Sequence, residues 1–199
     1  AIKEYFLHYR ERASDLSIHL KSGRIEVRHD DMEDWTVHLI DTGLDTQTGG
    51  RIARLLDFIG PETFMMTYGD GVASLDVRAL LEFHRKAGVL ATVTAVRPVA
   101  RFGALVFDGD LVSEFTEKPQ TGEGWINGGF FVLEPGIADY LDGRDDCIWE
   151  HGPMERLSAD RQLAAWRHDG FWQCMDTLRD VRYLNQRWRD GDAPWKVWS

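Results

Sequence analysis

Asp70 has a sequence setting that could support chemistry. It lies between Gly69 and Gly71, after the short apolar run TFMMTY and before a segment with helical periodicity. In open α/β sheets, ligands bind beyond the carboxyl ends of the strands, and glycines there let a ligand approach the backbone. A carboxylate at that point suits Mg²⁺, which takes one or two carboxylates and completes its shell with water and phosphate oxygens. The alternative is an aspartate in an ordinary β-turn.

A second carboxylate is expected to complete such a site. Asp176, in FWQCMDT, follows a strand-like aromatic run and precedes the last helix, so it also stands at a strand end. The alternative is that Asp176 or Thr177 caps this helix, and the pattern alone favours capping. Both interpretations remain open at this point.

The segment TQTGGR, from Thr46 to Arg51, places two hydroxyls, two glycines and an arginine at the start of a helix. Backbone N–H groups at a helix start and a guanidinium could hold a phosphate or the polar edge of a base. A flexible turn followed by a surface arginine explains the pattern equally well. The sequence contains neither G-x-G-x-x-G nor G-x-x-x-x-G-K-[ST], so it has neither a Rossmann fingerprint nor a P-loop.

Two short motifs could recognise a sugar phosphate: Glu-Lys-Pro, from Glu117, and Asn-Gly-Gly, from Asn127. Pro119 biases Lys118 toward extended backbone, which would direct its side chain. Lys118 could then meet a phosphate as a point charge, while Glu117 accepts from sugar hydroxyls. The amide of Asn127 both donates and accepts. A strand exit and a turn before a strand are the plain alternatives for these two motifs.

The elements that must position these residues follow from the hydrophobic pattern. Residues 52–59 and 77–84 repeat apolar side chains with the period of a helix, whereas TFMMTY, VLATVTAV and GGFFVL are typical of buried strands. The order strand, loop, helix and strand from TFMMTY to VLATVTAV predicts a βαβ crossover between parallel strands. A helix is expected from Ile2 to Tyr9, and strands at 25–27 and 37–39.

Composition excludes several classes of protein. The 199 residues are 43% hydrophobic and 28% charged, which fits one globular domain. The net charge of -10 argues against sequence-independent binding of nucleic acid. For the same reason, binding of an anionic ligand would need local cations or backbone N–H groups. Cys147 and Cys174 form no C-x-x-C pair, which fits a reducing cytoplasm, and no apolar run reaches membrane-spanning length.

Taken in order, several segments resemble one family: DTGLDTQTGGRI, TYGDGVASLD, RFGAL, F-x-EKP, INGGFFVL, GFWQCMDTLRD and APWKVW. The family is that of the sugar-phosphate nucleotidyltransferases, and within it the glucose-1-phosphate cytidylyltransferases are most similar. E-K-P and N-G-G-F recur across nucleotidyltransferases in general. The combination of TGGR, YGDGVASLD, FWQCMDT and APWKVW selects the cytidylyl enzymes over thymidylyl and uridylyl relatives.

The resemblance implies a fold and a reaction. The fold is α/β and doubly wound, with a mostly parallel, mixed sheet and helices on both faces, of the Rossmann-like, GT-A-like nucleotidyltransferase type. The reaction joins CTP to α-D-glucose 1-phosphate, giving CDP-glucose and pyrophosphate for the deoxysugars of bacterial surface polysaccharide. The alternatives are a related enzyme that uses UTP or dTTP, and a non-catalytic module for sugar-phosphate binding or oligomerisation.

The resemblance also implies roles for individual residues. Mg²⁺ would be held by Asp70 and Asp176. The residues that would contact the nucleotide are Thr46, Thr48, Arg51 and Gly69. Those that would contact the sugar phosphate are Gly103, Glu117, Lys118 and Asn127, with Lys118 also counted as catalytic.

The family pattern begins with segments that this sequence does not contain. These are a strand with a G-x-G-T-R loop that wraps the triphosphate, and then a K-P motif. We therefore expect residues 1–199 to form a single nucleotidyltransferase domain that is incomplete at its N-terminus and lacks its first βα units. Relatives assemble into oligomers, and the C-terminal helix with its tryptophan-rich tail, residues 177–199, is the expected interface.

Overall fold

The computed structural model describes residues 2–28, 33–98, 104–108, 111–116 and 124–198. Backbone contacts divide the chain into two compact units, residues 1–42 and residues 43–199. The interpretation of the whole chain as one domain stays a prediction. Among the described residues, no helix has the length and apolar character needed to cross a membrane.

The first unit contains two short helices and a hairpin: α1 (Ile2–Leu7), α2 (Tyr9–Ala13), β1 (Asp15–His19) and β2 (Arg24–Arg28). The two strands pair antiparallel. The rings of Tyr5, Phe6 and Tyr9 pack against one another with centroids 5.2 to 5.9 Å apart. The expectations of a helix over Ile2–Tyr9 and of a strand at 25–27 are confirmed.

The expected strand at residues 37–39 is wrong. Residues 33–42 form neither helix nor strand. Of the two alternating apolar residues, Val37 is 44% exposed and Leu39 is only partly buried, so the pattern there has no buried core face. Alternation specifies a strand only where a neighbouring strand or layer covers its apolar side.

The second unit carries the remaining elements. They are α3 (Thr48–Ile59), β3 (Phe64–Thr67), β4 (Gly71–Ala73), α4 (Val77–Ala87), β5 (Ala91–Val96), β6 (Ala104–Asp108), β7 (Leu111–Thr116), β8 (Ile126–Leu133), a 3-10 helix (Pro135–Tyr140), α5 (Pro153–Ala159), β9 (Leu163–His168), β10 (Trp172–Cys174) and α6 (Leu178–Arg189).

The main sheet is mixed and has the strand order β3-β8-β5-β9. β5 and β9 are parallel, and β8 is antiparallel to both of its neighbours, so three of the four strands run in one direction. β3 and β5, which α4 connects, therefore have the parallel orientation expected of a crossover. They are not adjacent, because β8 lies between them.

Helices cover both faces of this sheet, as the resemblance implies. Along β8, Phe131 and Leu133 pack on one face with Ile52 of α3 and Leu157 of α5. Val132 points to the opposite face and packs with Leu80 of α4. All six side chains are buried, so β8 has an apolar layer on each side, and its residues 130–133 form an uninterrupted hydrophobic run.

Two small antiparallel pairs complete the unit. β6 and β7 pair antiparallel, with Ala104 opposite Thr116. β4 and β10 are only three residues long each and pair with Gly71 opposite Cys174. This second pair joins the two chain segments that carry Asp70 and Asp176.

Candidate active site

Asp70 and Asp176 come together through the pairing of β4 with β10. Each aspartate lies just beyond the end of this ladder, where Gly71 is opposite Cys174. The N–H of Met175 also donates to the carbonyl oxygen of Asp70, at 2.7 Å. The two segments, far apart in sequence, are thus held side by side by backbone hydrogen bonds.

Both aspartates line one cavity of about 340 Å³. Asn127 and Asp180 belong to the same wall, together with Tyr68. Asp70 and Asp176 are exposed residues, so their carboxylates are accessible to a ligand in this space. The sheet therefore brings three of the residues expected from sequence, Asp70, Asp176 and Asn127, to one place.

The N-terminus of α6 is capped by Thr177 and Asp180. The Thr177 hydroxyl accepts from the Asp180 N–H at 3.3 Å, and the Asp180 carboxylate accepts from the Thr177 N–H at 3.0 Å. Asp176 instead accepts a hydrogen bond from the Cys174 thiol at 3.2 Å. The capping role that the sequence pattern favoured thus belongs to Thr177, and Asp176 faces the cavity.

The chemistry of these donors fits Mg²⁺. Asp70 and Asp176 offer carboxylate oxygens, which are the ligands this hard cation prefers, and Mg²⁺ needs only one or two of them beside water and phosphate oxygens. Across the described residues, no cluster of three or more His, Cys, Asp or Glu side chains is arranged for a metal. Any further ligands would come from water or substrate.

The start of α3 differs from its expected role in one respect. The N–H groups of Gly49 and Gly50 donate to the carbonyl oxygen of Cys147, at 2.9 and 3.1 Å. Both N–H groups are therefore engaged within the protein, so the phosphate-binding interpretation of this segment loses these two donors. A Cβ on Gly49 would lie 2.6 Å from the Cys147 sulfur, so close packing explains why a glycine stands there.

The side chains of this segment have different surroundings. The hydroxyl of Thr46, a residue that is 5% exposed, accepts from the Arg54 guanidinium at 2.6 Å. Arg51 donates to the carbonyl oxygen of Leu44 at 3.1 Å. Thr48 donates to the Glu150 carboxylate at 2.8 Å and accepts from the Trp149 N–H at 2.9 Å.

Glu150 and Tyr68 connect Thr48 to Asn127. The Tyr68 hydroxyl donates to Glu150 and accepts from the Asn127 amide at 3.1 Å. Burial, and then the hydrogen bond to Glu150, raise the pKa of the Tyr68 phenol, so it stays protonated at neutral pH. Sequence reasoning missed both residues, because no spacing rule links Glu150 to Tyr68.

Three of the four residues expected to contact the nucleotide surround Tyr68. Thr48 and Gly69 line a cavity of about 380 Å³ together with Tyr68, Asp70 and Glu150. Arg51 lines a neighbouring cavity of about 280 Å³ that also includes Thr48 and Tyr68. Among the residues expected to contact the sugar phosphate, Gly103, Glu117 and Lys118 lie outside the described residues.

Comparison with known proteins identifies the family of this chain. A family model described as nucleotidyl transferase matches residues 21–173. The chain belongs to the nucleotidyl transferase family. It is 47% identical over 199 residues to the glucose-1-phosphate cytidylyltransferase of Salmonella typhi, covering 100% of this chain and 77% of that relative. A Bacillus subtilis protein assigned as a glucose-1-phosphate cytidylyltransferase is 40% identical over 197 residues, with 99% and 77% coverage.

The nucleotidyl transferase fold recurs in solved structures. A Bacillus anthracis protein assigned as a glucose-1-phosphate thymidylyltransferase and solved with sucrose superposes with a TM-score of 0.53 at 18% identity. The superposition covers 73% of this chain and 62% of the other, less than two thirds of its length. At this identity the likeness concerns the fold alone, and the expectation of a mixed sheet flanked by helices is confirmed.

Proposed function

We infer that this nucleotidyl transferase moves a cytidylyl group from CTP to α-D-glucose 1-phosphate. A phosphate oxygen of the sugar phosphate attacks the α-phosphorus of CTP, and the bond from that phosphorus to the bridging oxygen breaks. Its electron pair leaves with pyrophosphate, and CDP-glucose is the product. The observation that carries this inference is the shared cavity, where Asp70, Asp176 and Asn127 meet.

The electrostatics of the reaction explain why carboxylates stand in a site for anions. Two like charges about 4 Å apart repel by roughly 4 kcal/mol at an effective dielectric of about 20. The protein carries a net charge of -10, so two phosphorylated substrates need local positive charge between them. Mg²⁺ held by Asp70 and Asp176 would neutralise charge on the phosphates and on the departing pyrophosphate.

The other residues would align the substrates without forming a covalent bond to them. Thr48, Arg51 and Gly69 are proposed to contact the nucleotide, and support comes from their places around Tyr68 and Asp70. Asn127 would bind the sugar phosphate through its amide. The contact proposed for Thr46 stays a prediction, since its hydroxyl already bonds Arg54.

Three further parts of the proposal rest on the family resemblance. Glu117, Lys118 and Gly103 would complete the sugar-phosphate site, with the Lys118 ammonium adding positive charge. The product would serve cytoplasmic synthesis of deoxysugars for the O-antigen of lipopolysaccharide. Residues 177–199 would form a homo-oligomer interface, which the exposure of Trp188 and Trp198, 51% and 57%, supports.

A nucleotide panel tests the reaction. Pyrophosphate release is measured with glucose 1-phosphate and CTP, UTP or dTTP in turn. We expect CTP to be used in preference to both others. Equal use of UTP or dTTP would point to a different nucleotidyl transferase, and binding of glucose 1-phosphate without turnover of any nucleotide would point to a binding module.

A matched substitution tests the site. Asp70→Asn and Asp176→Asn each remove one charge with little change in size, and each is expected to lower Mg²⁺-dependent turnover by about a hundredfold or more. Asp139→Asn changes an exposed aspartate of the 3-10 helix and serves as the control. Turnover that survives Asp70→Asn and Asp176→Asn as well as it survives the control would contradict the proposed site.

A further inference from the structure

Glu150 lies at the centre of a hydrogen-bonded chain that crosses the candidate site. One carboxylate oxygen accepts from the Thr48 hydroxyl at 2.8 Å, and the other accepts from the Tyr68 hydroxyl. Tyr68 in turn accepts from Asn127, whose own carbonyl oxygen accepts from the Gly129 N–H at 2.8 Å. The chain runs from the start of α3 to the start of β8.

This chain fixes the orientation of Asn127. The side-chain amide has two N–H donors and one oxygen with two lone pairs. One N–H is used by Tyr68, and one lone pair is used by the N–H of Gly129. With respect to the described part of the protein, one donor and one acceptor remain for a ligand in the cavity, and their directions depend on where the Tyr68 hydroxyl lies.

Packing holds the two central residues in place. The Tyr68 ring lies 5.7 Å from the ring of Phe131, and Gly129 leaves room for it, because a Cβ there would be 2.8 Å from the Tyr68 ring. Glu150 follows Trp149, whose side chain is fully buried and whose backbone N–H donates to the Thr48 hydroxyl. Packing therefore holds the centre of this hydrogen-bonded chain in place, although Tyr68 and Glu150 also line the ligand cavities.

We propose that Glu150 and Tyr68 are positioning residues that couple the nucleotide side of the site, at Thr48, to the sugar-phosphate side, at Asn127. This inference rests on the proposed function and goes further, since it assigns roles to two residues that the sequence patterns did not mark. A substitution at the centre of this hydrogen-bonded chain should weaken the binding of both substrates. If the two half-sites were independent, each substitution would change the KM of one substrate only.

Conservative substitutions at the centre test the coupling. In Glu150→Gln, an amide NH₂ group, which only donates, replaces one carboxylate oxygen, so the hydroxyl of either Thr48 or Tyr68 loses its acceptor. Tyr68→Phe removes the hydroxyl that both Glu150 and Asn127 use. Each variant is expected to raise KM about tenfold for CTP and about tenfold for glucose 1-phosphate, the effect of losing one hydrogen bond to a charged group. The change in kcat should be smaller.

The double variant separates one linked chain from two local effects. Because both substitutions interrupt the same chain, Tyr68→Phe with Glu150→Gln should raise each KM little more than the larger single change. If the KM change of the double variant equals the product of the two single changes, the coupling is overturned. A change in KM for one substrate only would overturn it as well. The Tyr140 hydroxyl donates to Asp160 at 2.9 Å in another part of the protein. Tyr140→Phe removes that hydrogen bond and Asp160→Asn weakens it, and both should leave the two KM values unchanged.

A second readout does not depend on catalysis. The side-chain amide signal of Asn127, assigned through its loss in Asn127→Asp, can be followed by ¹⁵N–¹H NMR in this chain. Glu150→Gln acts two hydrogen bonds away and should shift that signal, whereas Asp160→Asn should not. An unshifted signal would overturn the proposed chain. A shifted signal in a protein that does not use CTP would leave the chain intact and reject only the proposed reaction.

Discussion

Gly129→Ala probes how tightly Tyr68 is held beside the site. Gly129 has a φ of +79°, and a Cβ added there would lie 2.8 Å from Cδ2 of Tyr68. The left-handed conformation alone costs about 1 kcal/mol for alanine. Displacing the ring should add about 1 to 3 kcal/mol, the usual cost of overpacking, because Tyr68 is held by Phe131 and by its hydrogen bonds. The expected loss of unfolding free energy is therefore about 2 to 4 kcal/mol.

Gly143→Ala is the matched control for that substitution. Gly143 has a φ of +69° with nothing within 4 Å of the added Cβ, so it isolates the conformational cost. Urea denaturation of both variants, followed by fluorescence, gives the difference between them. A difference of about 1 kcal/mol or more in favour of Gly143→Ala is expected. Equal losses would refute the reasoning, because Tyr68 would then yield without cost.

Three further outcomes can be checked by denaturation. Thr92→Val removes the hydroxyl that bonds the buried His84 ring at 2.8 Å and should cost about 1 to 3 kcal/mol in a urea melt. Trp172→Phe removes the indole N–H that donates to Gly128 at 2.8 Å and should cost about 1 kcal/mol by the same assay. The pKa of the Tyr68 phenol is raised in the folded protein, so above about pH 10 this phenol loses its proton in the unfolded protein and keeps it in the folded one. The free energy of unfolding should therefore fall above that pH, by up to about 1.4 kcal/mol per pH unit. Tyr68→Phe should reduce this slope between pH 9 and 11, and an unchanged slope would contradict the assignment.

The sequence located the strand ends well because local patterns determine them. An apolar run followed by Gly-Asp-Gly marked Asp70 as a residue beyond a strand end, and a strand-like aromatic run before a helix marked Asp176; both line one cavity. What brings them together is the ladder of Gly71 with Cys174, formed by two strands of three residues each. Such a short, long-range pairing has no signature in either segment. Strand-end position made Asp176 a candidate partner while the pattern favoured helix capping, and the family resemblance paired the two aspartates.

Other parts of the site depend on contacts that no local pattern records. The glycines of TGGR suggested an anion site, but the carbonyl oxygen of Cys147 takes both N–H groups, because residues 144–149 pack against the start of α3. No sequence pattern links Glu150 to Tyr68, since their hydrogen bond joins segments that lie 82 residues apart. Gly103, Glu117 and Lys118 lie outside the described residues, and their roles stay predictions.

The central claim is that Asp70 and Asp176 bind one divalent cation in the shared cavity. Anomalous diffraction from crystals soaked in Mn²⁺ tests it most directly. We expect one peak at about 2.1 to 2.2 Å from an oxygen of each carboxylate, a separation close to that of Mg²⁺ from its ligands. The same peak should be missing in Asp176→Asn. No peak at the two carboxylates, or a peak that touches only one of them and persists in the variant, would contradict the claim.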